Sequence, residues 1–423
     1  MDVFFKVTAN LYIKYKFFYF FCELFKLNDM QIVLIILFIF SVLVVFYAYL
    51  GYGLLLFLLV KLKRAFKKNR LEYIDFEPDV TLLVAAYNEE DFIRHKIENS
   101  LSLDYPNHKL KLLFVTDGSS DRTPEIVKEY PQIQLLHQPE RGGKIAAVER
   151  TMPQVRTEIV VFTDANTLLN KEAIRKIVRH YADPKVGVVS GEKRIKNRDT
   201  DEAAGAGEGL YWKYESRLKK WDYELYSVVG AAGELFSIRT ELYKPIPRDS
   251  LIEDFYMTLQ IAKRGYKIAY EPEAYALEDP SASVGEELKR KIRIAAGGIQ
   301  SVVRMKELLN PFRYGLLSFQ YISHRVLRWT IAPIALPLIF ITNLLLMPMN
   351  GFFYWLFWLQ CAFYIISLVG YWLESKNLRF KLLFVPYYFC MMNYAVYRGF
   401  FRYMRGSQSV LWEKARRRDQ PAI

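Results

Sequence analysis

Apolar positions along this chain fall into two regimes. The first is the long uninterrupted run. From Gln31 to Val60, thirty residues pass without a charge. At about 1.5 Å per residue such a helix exceeds the roughly 30 Å hydrocarbon core, which predicts a tilted membrane-spanning helix over 31–60. A core helix of a soluble domain rarely runs this far without a charge. Apolar runs return at 326–348 and 351–373, with Trp and Tyr near their ends, and predict two further spans. Residues 378–400 are interrupted by Lys381, Pro386, Asn393 and Arg398, and predict either a third span or a helix along the interface. Residues 1–30 are rich in Phe and Tyr and carry Lys6, Lys14, Lys16 and Lys26, which predicts an interfacial helix, with Met30 as an alternative start. The first apolar run is too long for a cleaved signal peptide, and basic residues occupy the place of a cleavage site.

The second regime lies between 71 and 298, where short β-type runs alternate with helical patterns. Val80–Tyr87, Leu110–Asp117, Ile133–His137, Ile159–Asp164 and Val186–Ile195 read as strands. Helices are expected over 88–103, from Lys144, from Lys171 to Tyr181, within 201–225, and from 251 to about Gly265. Thr123 is expected as an N-cap with Pro124 at the first helical position. This alternation predicts an α/β domain with a mostly parallel, twisted sheet and helices on both faces. The expected layout is an N-terminal segment 1–30, a span 31–60, an α/β domain 71–298, an amphipathic interface segment 299–325, a membrane region 326–400 and a basic tail 401–423.

Charge sharpens the orientation. The net charge is +13. Its placement argues against nucleic acid, because six basic residues gather in "KLKRAFKKNR", directly after the first span. That position predicts a cytoplasmic domain and attraction to anionic lipid. The basic "WEKARRR" at 412–418 also prefers the cytoplasm, whereas three spans would put it outside. Cys22, Cys361 and Cys390 all lie in apolar, aromatic stretches, which argues against disulfides and zinc clusters.

In a sheet of this class, ligands bind beyond the carboxyl ends of the strands. Three polar loops are expected at that rim: Tyr87–Asn88–Glu89, Asp117–Gly118–Ser119–Ser120–Asp121, and Asp164–Ala165–Asn166. Asp117 suits a nucleoside, or is simply an Asp-Gly turn. "RGGK" at 141–144 offers two glycines and two cations to a diphosphate, without the spacing of a P-loop. Asp164 and Asn166 present oxygens suited to Mg²⁺ or Mn²⁺ on a phosphate, or an Asx turn capping the next helix. Glu253 and Asp254 open a helix. They either favour its dipole or provide a base. Lys289, Arg290, Lys291 and Arg293 precede "AAGG" and form either a solvated basic face or a phosphate contact.

Taken in order, "AAYNEE", "DGSSDRT", "RGGK", "FTDANT", "GAAGELFSIR" and "EDFYMTLQ", followed by a basic run and further apolar spans, resemble the membrane-embedded inverting family 2 glycosyltransferases. That group includes the chitin, cellulose, hyaluronan and poly-N-acetylglucosamine synthases, and the resemblance covers residues 30–400. It implies a GT-A fold, a nucleotide-sugar donor (a UDP-sugar over a GDP-sugar) and a divalent metal, Mn²⁺ or Mg²⁺. Carried over by motif, Tyr87, Asn88, Glu89, Asp117, Lys144, Asp164 and Arg293 bind donor. Asp164 and Asn166 hold the metal, Asn166 standing at the altered third position of D-x-D. Gly230, Gly233 and Arg290 lie on the acceptor side. Asp254 is the general base with Glu253 beside it. Where processive members carry Q-x-x-R-W, this chain reads Arg290–Ile294, so isoleucine replaces the tryptophan that supports the terminal acceptor sugar.

The expected activity is an integral-membrane hexosyl- or N-acetylhexosaminyl-type transferase working at the cytoplasmic face on a glycan or lipid-linked acceptor. The competing expectations are a processive polysaccharide synthase and a non-catalytic, membrane-anchored nucleotide-sugar-binding protein.

Overall fold

The computed structural model describes residues 28–66, 76–196, 204–280, 283–376 and 381–406. The expectations for residues 1–27, Cys22, the second half of the basic run and the C-terminal tail lie outside the described residues.

Eight strands form one sheet: β1 (Val80–Ala86), β2 (Leu110–Asp117), β3 (Ile133–Gln138), β4 (Ile159–Asp164), β5 (Thr167–Leu169), β6 (Val186–Ile195), β7 (Leu235–Arg239) and β8 (Lys267–Glu278). Their order is β3-β2-β1-β4-β7-β6-β8-β5. Pairs β1·β2, β1·β4, β2·β3 and β6·β8 are parallel; β4·β7, β6·β7 and β5·β8 are antiparallel. The sheet is therefore mixed: β3, β2, β1 and β4 form a parallel block of the expected kind, β7 runs antiparallel between β4 and β6, β8 is parallel to β6, and β5 is antiparallel at the edge. β1 is buried along its whole length, which explains why it is a continuous apolar run. One core packs the helices Lys144–Thr151 and Glu253–Lys263 on one face of the sheet. The other packs Ile93–Leu101, Thr123–Lys128 and Ala173–Val178 on the opposite face. Together they give an α/β sheet with helices on both faces.

Several elements differ from the sequence reading. β5, β7 and β8 were not expected as strands. β7 is the antiparallel strand inserted between β4 and β6, where simple β–α alternation stops. Thr123 is the first helical residue rather than the cap. Its Oγ1 donates to Asp121 Oδ1 at 2.6 Å and accepts from Glu89 N at 2.8 Å, and Asp121 Oδ1 also accepts from Thr123 N. Asn166 caps no helix, because a strand follows it.

The first apolar run is one helix of 38 residues, Asp29–Phe66, with a π-turn over Tyr47–Gly51. Gly351–Ser375 is a second helix long and apolar enough to cross a membrane. Helices Leu316–Trp329 and Ile331–Leu346 meet at a 51° bend, so the expected span 326–348 is broken near its start, and counting the bent pair as one span gives up to three. Lys381–Met404 is a further helix, containing Pro386. The helix Val284–Arg304 runs without a break past residue 298, where a domain boundary was expected. Its glycines are contact points rather than a hinge. A Cβ on Gly298 would fall 2.6 Å from the Trp329 ring, and one on Gly297 would fall 2.9 Å from Ile252.

Candidate active site

The strand ends converge as a parallel sheet requires. β1 ends at Ala86, β2 at Asp117 and β4 at Asp164, in register with one another. The loops after them share one rim with the start of the helix Glu253–Lys263. A cavity of about 640 Å³ opens there. Tyr87, Glu89, Lys144, Asp164, Asn166, Gly230, Gly233, Glu253, Asp254, Arg290 and Arg293 all line it, whereas Asn88 and Asp117 do not.

Asn88 adopts φ 54°, a left-handed conformation that Asn tolerates better than most residues. It braces the second loop: its Oδ1 accepts from Ser120 N at 2.9 Å, and its own N–H donates to Ser119 Oγ at 3.2 Å. Asp117 braces the glycine loop at 141–144. Its Oδ2 accepts from Gly142 N at 2.9 Å and Gly143 N at 2.6 Å, while Oδ1 accepts from Arg150 at 2.7 Å. Gly118 (φ 66°) makes this possible, because a Cβ there would lie 2.7 Å from the Arg141 backbone. Between Tyr87 and Asp117 the slot shrinks to about 10 Å³. The Arg141 guanidinium lies 3.9 Å above the Tyr87 ring. A base entering this slot has to displace Arg141 from that ring.

Lys144 stands at the centre. Its Nζ lies 2.7 Å from Asp164 Oδ1 and 2.9 Å from Glu253 Oε1. Burial disfavours its charge, but the two carboxylates outweigh burial and raise its pKa. Burial would likewise raise Glu253; Lys144 overrides it, and Glu253 sits below the ordinary carboxylate range. Its neighbour behaves oppositely. Asp254 is pushed up to about 7 by burial and by the Glu253 carboxylate. Two adjacent carboxyls thus have separated proton affinities, the arrangement that lets one take a proton near neutral pH. Gly233 leaves room above Asp254, since a Cβ there would come within 3.0 Å of Oδ2. Gly230 (φ 78°) admits the Phe255 ring, which an added Cβ would meet at 2.2 Å.

The residues present fit a divalent metal. Asn166 Oδ1 is buried and has no hydrogen-bond partner in the structure. Leaving such an acceptor unpaired is costly, and a cation would relieve it. Asp164 supplies the carboxylate beside it. Among the described residues no group of three or more His, Cys, Asp or Glu could hold a metal. The protein set is therefore short, and a hard cation here needs oxygens from a bound diphosphate.

Arg290 does not reach into open space. It forks onto Glu287 at 2.9 and 3.0 Å and lies 3.8 Å from Glu234. Burial opposes its charge, yet Glu287 and the acids beyond it raise its pKa. Arg293 faces Glu253 electrostatically across the cavity. Ile294, in the place of the family tryptophan, lines the same wall.

Sequence reasoning missed several residues here. Lys96 is fully buried beneath the Asp164 loop, with Nζ 3.0 Å from Thr163 Oγ1 and 2.8 Å from Thr167 O. Trp212 and Glu215, from the helix Ala204–Leu225, Arg325 and Trp329, from the bent helix pair, and Arg402, from the helix Lys381–Met404, also line the cavity. The one available signal was the three-residue spacing of Trp212 and Glu215 on an amphipathic helix. The rest arrive from elements remote in sequence.

Comparison with known proteins agrees with this geometry. Residues 78–297 match the family described as Glycosyltransferase like family 2. The chain is 28% identical over 242 residues to a poly-beta-1,6-N-acetyl-D-glucosamine synthase of Staphylococcus aureus, covering 55% of this chain and 57% of that protein. It is 25% identical over 233 residues to the synthase of the same name from Staphylococcus epidermidis, covering 53% and 56%. The chain thus spans just over half the length of the curated relatives it matches. Among solved structures, a mannosyltransferase from Pyrobaculum calidifontis in complex with GDP-Man and Mn²⁺ superimposes with a TM-score of 0.63 at 22% identity, covering 88% of this chain and all of that one, which establishes the shared GT-A fold.

Proposed function

The chain belongs to glycosyltransferase family 2, and from that premise we propose that it is an inverting, membrane-embedded transferase that moves one hexosyl or N-acetylhexosaminyl unit from a nucleoside-diphosphate sugar to a glycan or lipid-linked acceptor at the cytoplasmic face. The observation that carries the reading is the Asp164–Lys144–Glu253–Asp254 arrangement at one cavity floor.

Each residue has a part in it. Tyr87 and the loop braced by Asp117 would receive the nucleoside, a UDP-sugar over a GDP-sugar. Asp164 and Asn166 would hold Mn²⁺ or Mg²⁺ against the diphosphate. The metal supplies charge stabilisation for the leaving diphosphate when bound. Lys144 adds a cation beside the same oxygens, and Glu253 keeps that lysine in place. Asp254, with its raised proton affinity, takes the proton of the attacking hydroxyl. Attack from the face opposite the diphosphate, in one displacement, inverts the anomeric centre.

The two relatives named as polymer synthases favour a second reading, processive synthesis. Ile294 at the cavity wall weighs against it, because an aliphatic side chain lacks the flat face on which a terminal sugar stacks.

The test is a screen of labelled UDP- and GDP-sugars with the purified full chain in lipid, with and without Mn²⁺. The reading expects metal-dependent release of nucleoside diphosphate with one donor and products of one or a few added sugars. Long polymer would replace it with the processive reading. No metal-dependent release with any donor would refute transferase activity.

A further inference from the structure

The turn that carries Asp164 and Asn166 has little of its own to hold its shape. β4 ends at Asp164 and β5 begins at Thr167, so only Ala165 and Asn166 join them. β5 is three residues long, lies at the edge of the sheet and pairs with β8 alone. So short an edge strand gains few ladder hydrogen bonds, and its position depends on what else grips it.

The grip comes from the helix Ile93–Leu101, on the side away from the cavity. Lys96 is fully buried and does not line the cavity. Its Nζ donates to Thr163 Oγ1 at 3.0 Å and to Thr167 O at 2.8 Å, with Thr167 Oγ1 at 3.5 Å. These two threonines flank Asp164–Ala165–Asn166 on either side, and Thr167 Oγ1 in turn donates to Asp164 O at 3.0 Å. Thr163 Oγ1 also donates to Glu234 O at 3.0 Å, and Glu234 follows the Gly233 that leaves room above Asp254. Three residues along the same helix face, Asn99 holds both backbone groups of Leu169, at 2.8 Å each. A single amine thus closes the metal turn from behind and ties it to the segment beside the base.

Packing does not explain a lysine at this place. Burying an amine is costly, and a methionine of similar length would fill the space without that cost. What methionine lacks is the pair of donors that spans the turn. We infer that Lys96 is a positioning residue for the metal turn: its hydrogen bonds to Thr163 and Thr167 fix the two ends of the turn so that Asp164 and the Asn166 acceptor are presented together to a divalent cation. The inference rests on the metal reading above and deepens it, because Lys96 itself touches neither metal nor donor.

A Mn²⁺ titration followed by electron paramagnetic resonance tests this, on the purified full chain saturated with UDP or GDP, whichever the wild type binds more tightly. The titration is run at about pH 8.5, where an amine of pKa about 7 is mostly neutral and loss of its charge does not mask loss of its hydrogen bonds. Lys96→Met is expected to lower Mn²⁺ affinity about tenfold or more, the size that support behind a metal ligand carries. Nucleotide affinity without metal should stay unchanged and Tm should not fall. Thr163→Val keeps the volume and removes the hydroxyl that receives Lys96; it should weaken Mn²⁺ binding in the same direction, and the double variant should bind about as Lys96→Met does, because both act through one contact. Thr163→Val alone decides the matter if Lys96→Met does not fold. Unchanged or tighter Mn²⁺ binding would overturn the inference. So would an equal loss of metal-free nucleotide binding, which marks a general loosening of the rim. If the wild type binds Mn²⁺ and the variants bind it equally, the positioning role is wrong and the metal reading stands; if the wild type binds no Mn²⁺ with either nucleotide, the metal reading falls and the positioning role with it.

Discussion

Asp254 and Glu253 are covalent neighbours with opposite proton affinities, and the cause is which of them faces Lys144. A base whose pKa is near 7 is protonated, and so idle, below that pH. Turnover is therefore expected to rise with pH through about 7 and then level, with the limb moving lower as bound metal and donor favour the carboxylate. A pH–rate profile of kcat/KM checks this; a flat profile between pH 5 and 8 would count against Asp254. Asp254→Asn should lower turnover by about 10²–10⁴-fold with donor affinity retained. Asn166 makes a second residue-scale prediction. With one carboxylate on the metal, Mn²⁺ should bind weakly without nucleotide, and Asn166→Asp should tighten that binding, as a Mn²⁺ titration followed by electron paramagnetic resonance would read. Lys96 makes a third. Burial lowers its pKa from 10.5 to about 7. Between those values the unfolded chain holds a proton that the folded chain has released, so the cost of burying this lysine is full below about 7, shrinks as pH rises across that window and is gone above 10.5. Lys96→Met should accordingly gain most in Tm relative to wild type at pH 6 and gain less at pH 9.

At the scale of elements, the parallel block β3-β2-β1-β4 and β6 were legible, and β5, β7 and β8 were not. β1, β2 and β4 are apolar runs that lead into polar loops, because buried parallel strands need apolar residues on both faces. β8 begins just after the helix expected to end near Gly265; four buried residues follow Lys267, the strand alternates only in its second half, and no strand was expected there. "AAGG" in Val284–Arg304 was read as the end of a domain. Only the neighbours reveal why a helix spends two glycines there: Ile252 and Trp329 occupy the space of their missing side chains. Gly230→Ala tests this kind of contact at the acceptor rim. It places a Cβ against Phe255 at a left-handed φ, so a loss of about 1–3 kcal/mol is expected, measured as a lower Tm together with reduced turnover.

At the scale of the whole molecule, a buried polar network joins the long apolar helix Asp29–Phe66 to the α/β domain. His324 bonds Asp222 at 2.6 Å and Glu215 at 3.2 Å, Tyr52 donates to Asp222, and Arg328 pairs with Glu215. Arg328 Nε also donates to Ala48 O at 2.8 Å, and Tyr214 to Tyr49 O at 2.7 Å, both within the π-turn of the first helix. A second π-turn, Ile322–Val326, faces it through Tyr47 and Ser323 hydroxyls 2.8 Å apart. Glu215 lines the cavity as well, so the network that holds the long apolar helix also forms part of the wall of the candidate site. Arg328→Met should cost about 3–5 kcal/mol, because it strips the buried Glu215 of its main cation. A fall in Tm larger than that of an exposed control such as Arg94→Met would show it, and an equal fall would show that the network carries no such weight.

The sequence by itself determined the regimes of the chain: an uncharged run too long for a soluble helix, an alternating α/β domain, and the order of motifs that set Asp117, Lys144, Asp164 and Asp254 at one rim. Those features are local, since periodicity and strand-end polarity are written in neighbouring residues. The tertiary structure decided what those residues face. Lys144 is shared between Asp164 and Glu253, Asp117 is held by the glycine loop, and Asn166 is left with an unfilled acceptor. It also brought Arg325, Trp329 and Arg402 from the C-terminal helices to a cavity whose floor lies far earlier in the chain. Such contacts depend on helix crossings set by packing across long separations, which no window of the sequence contains.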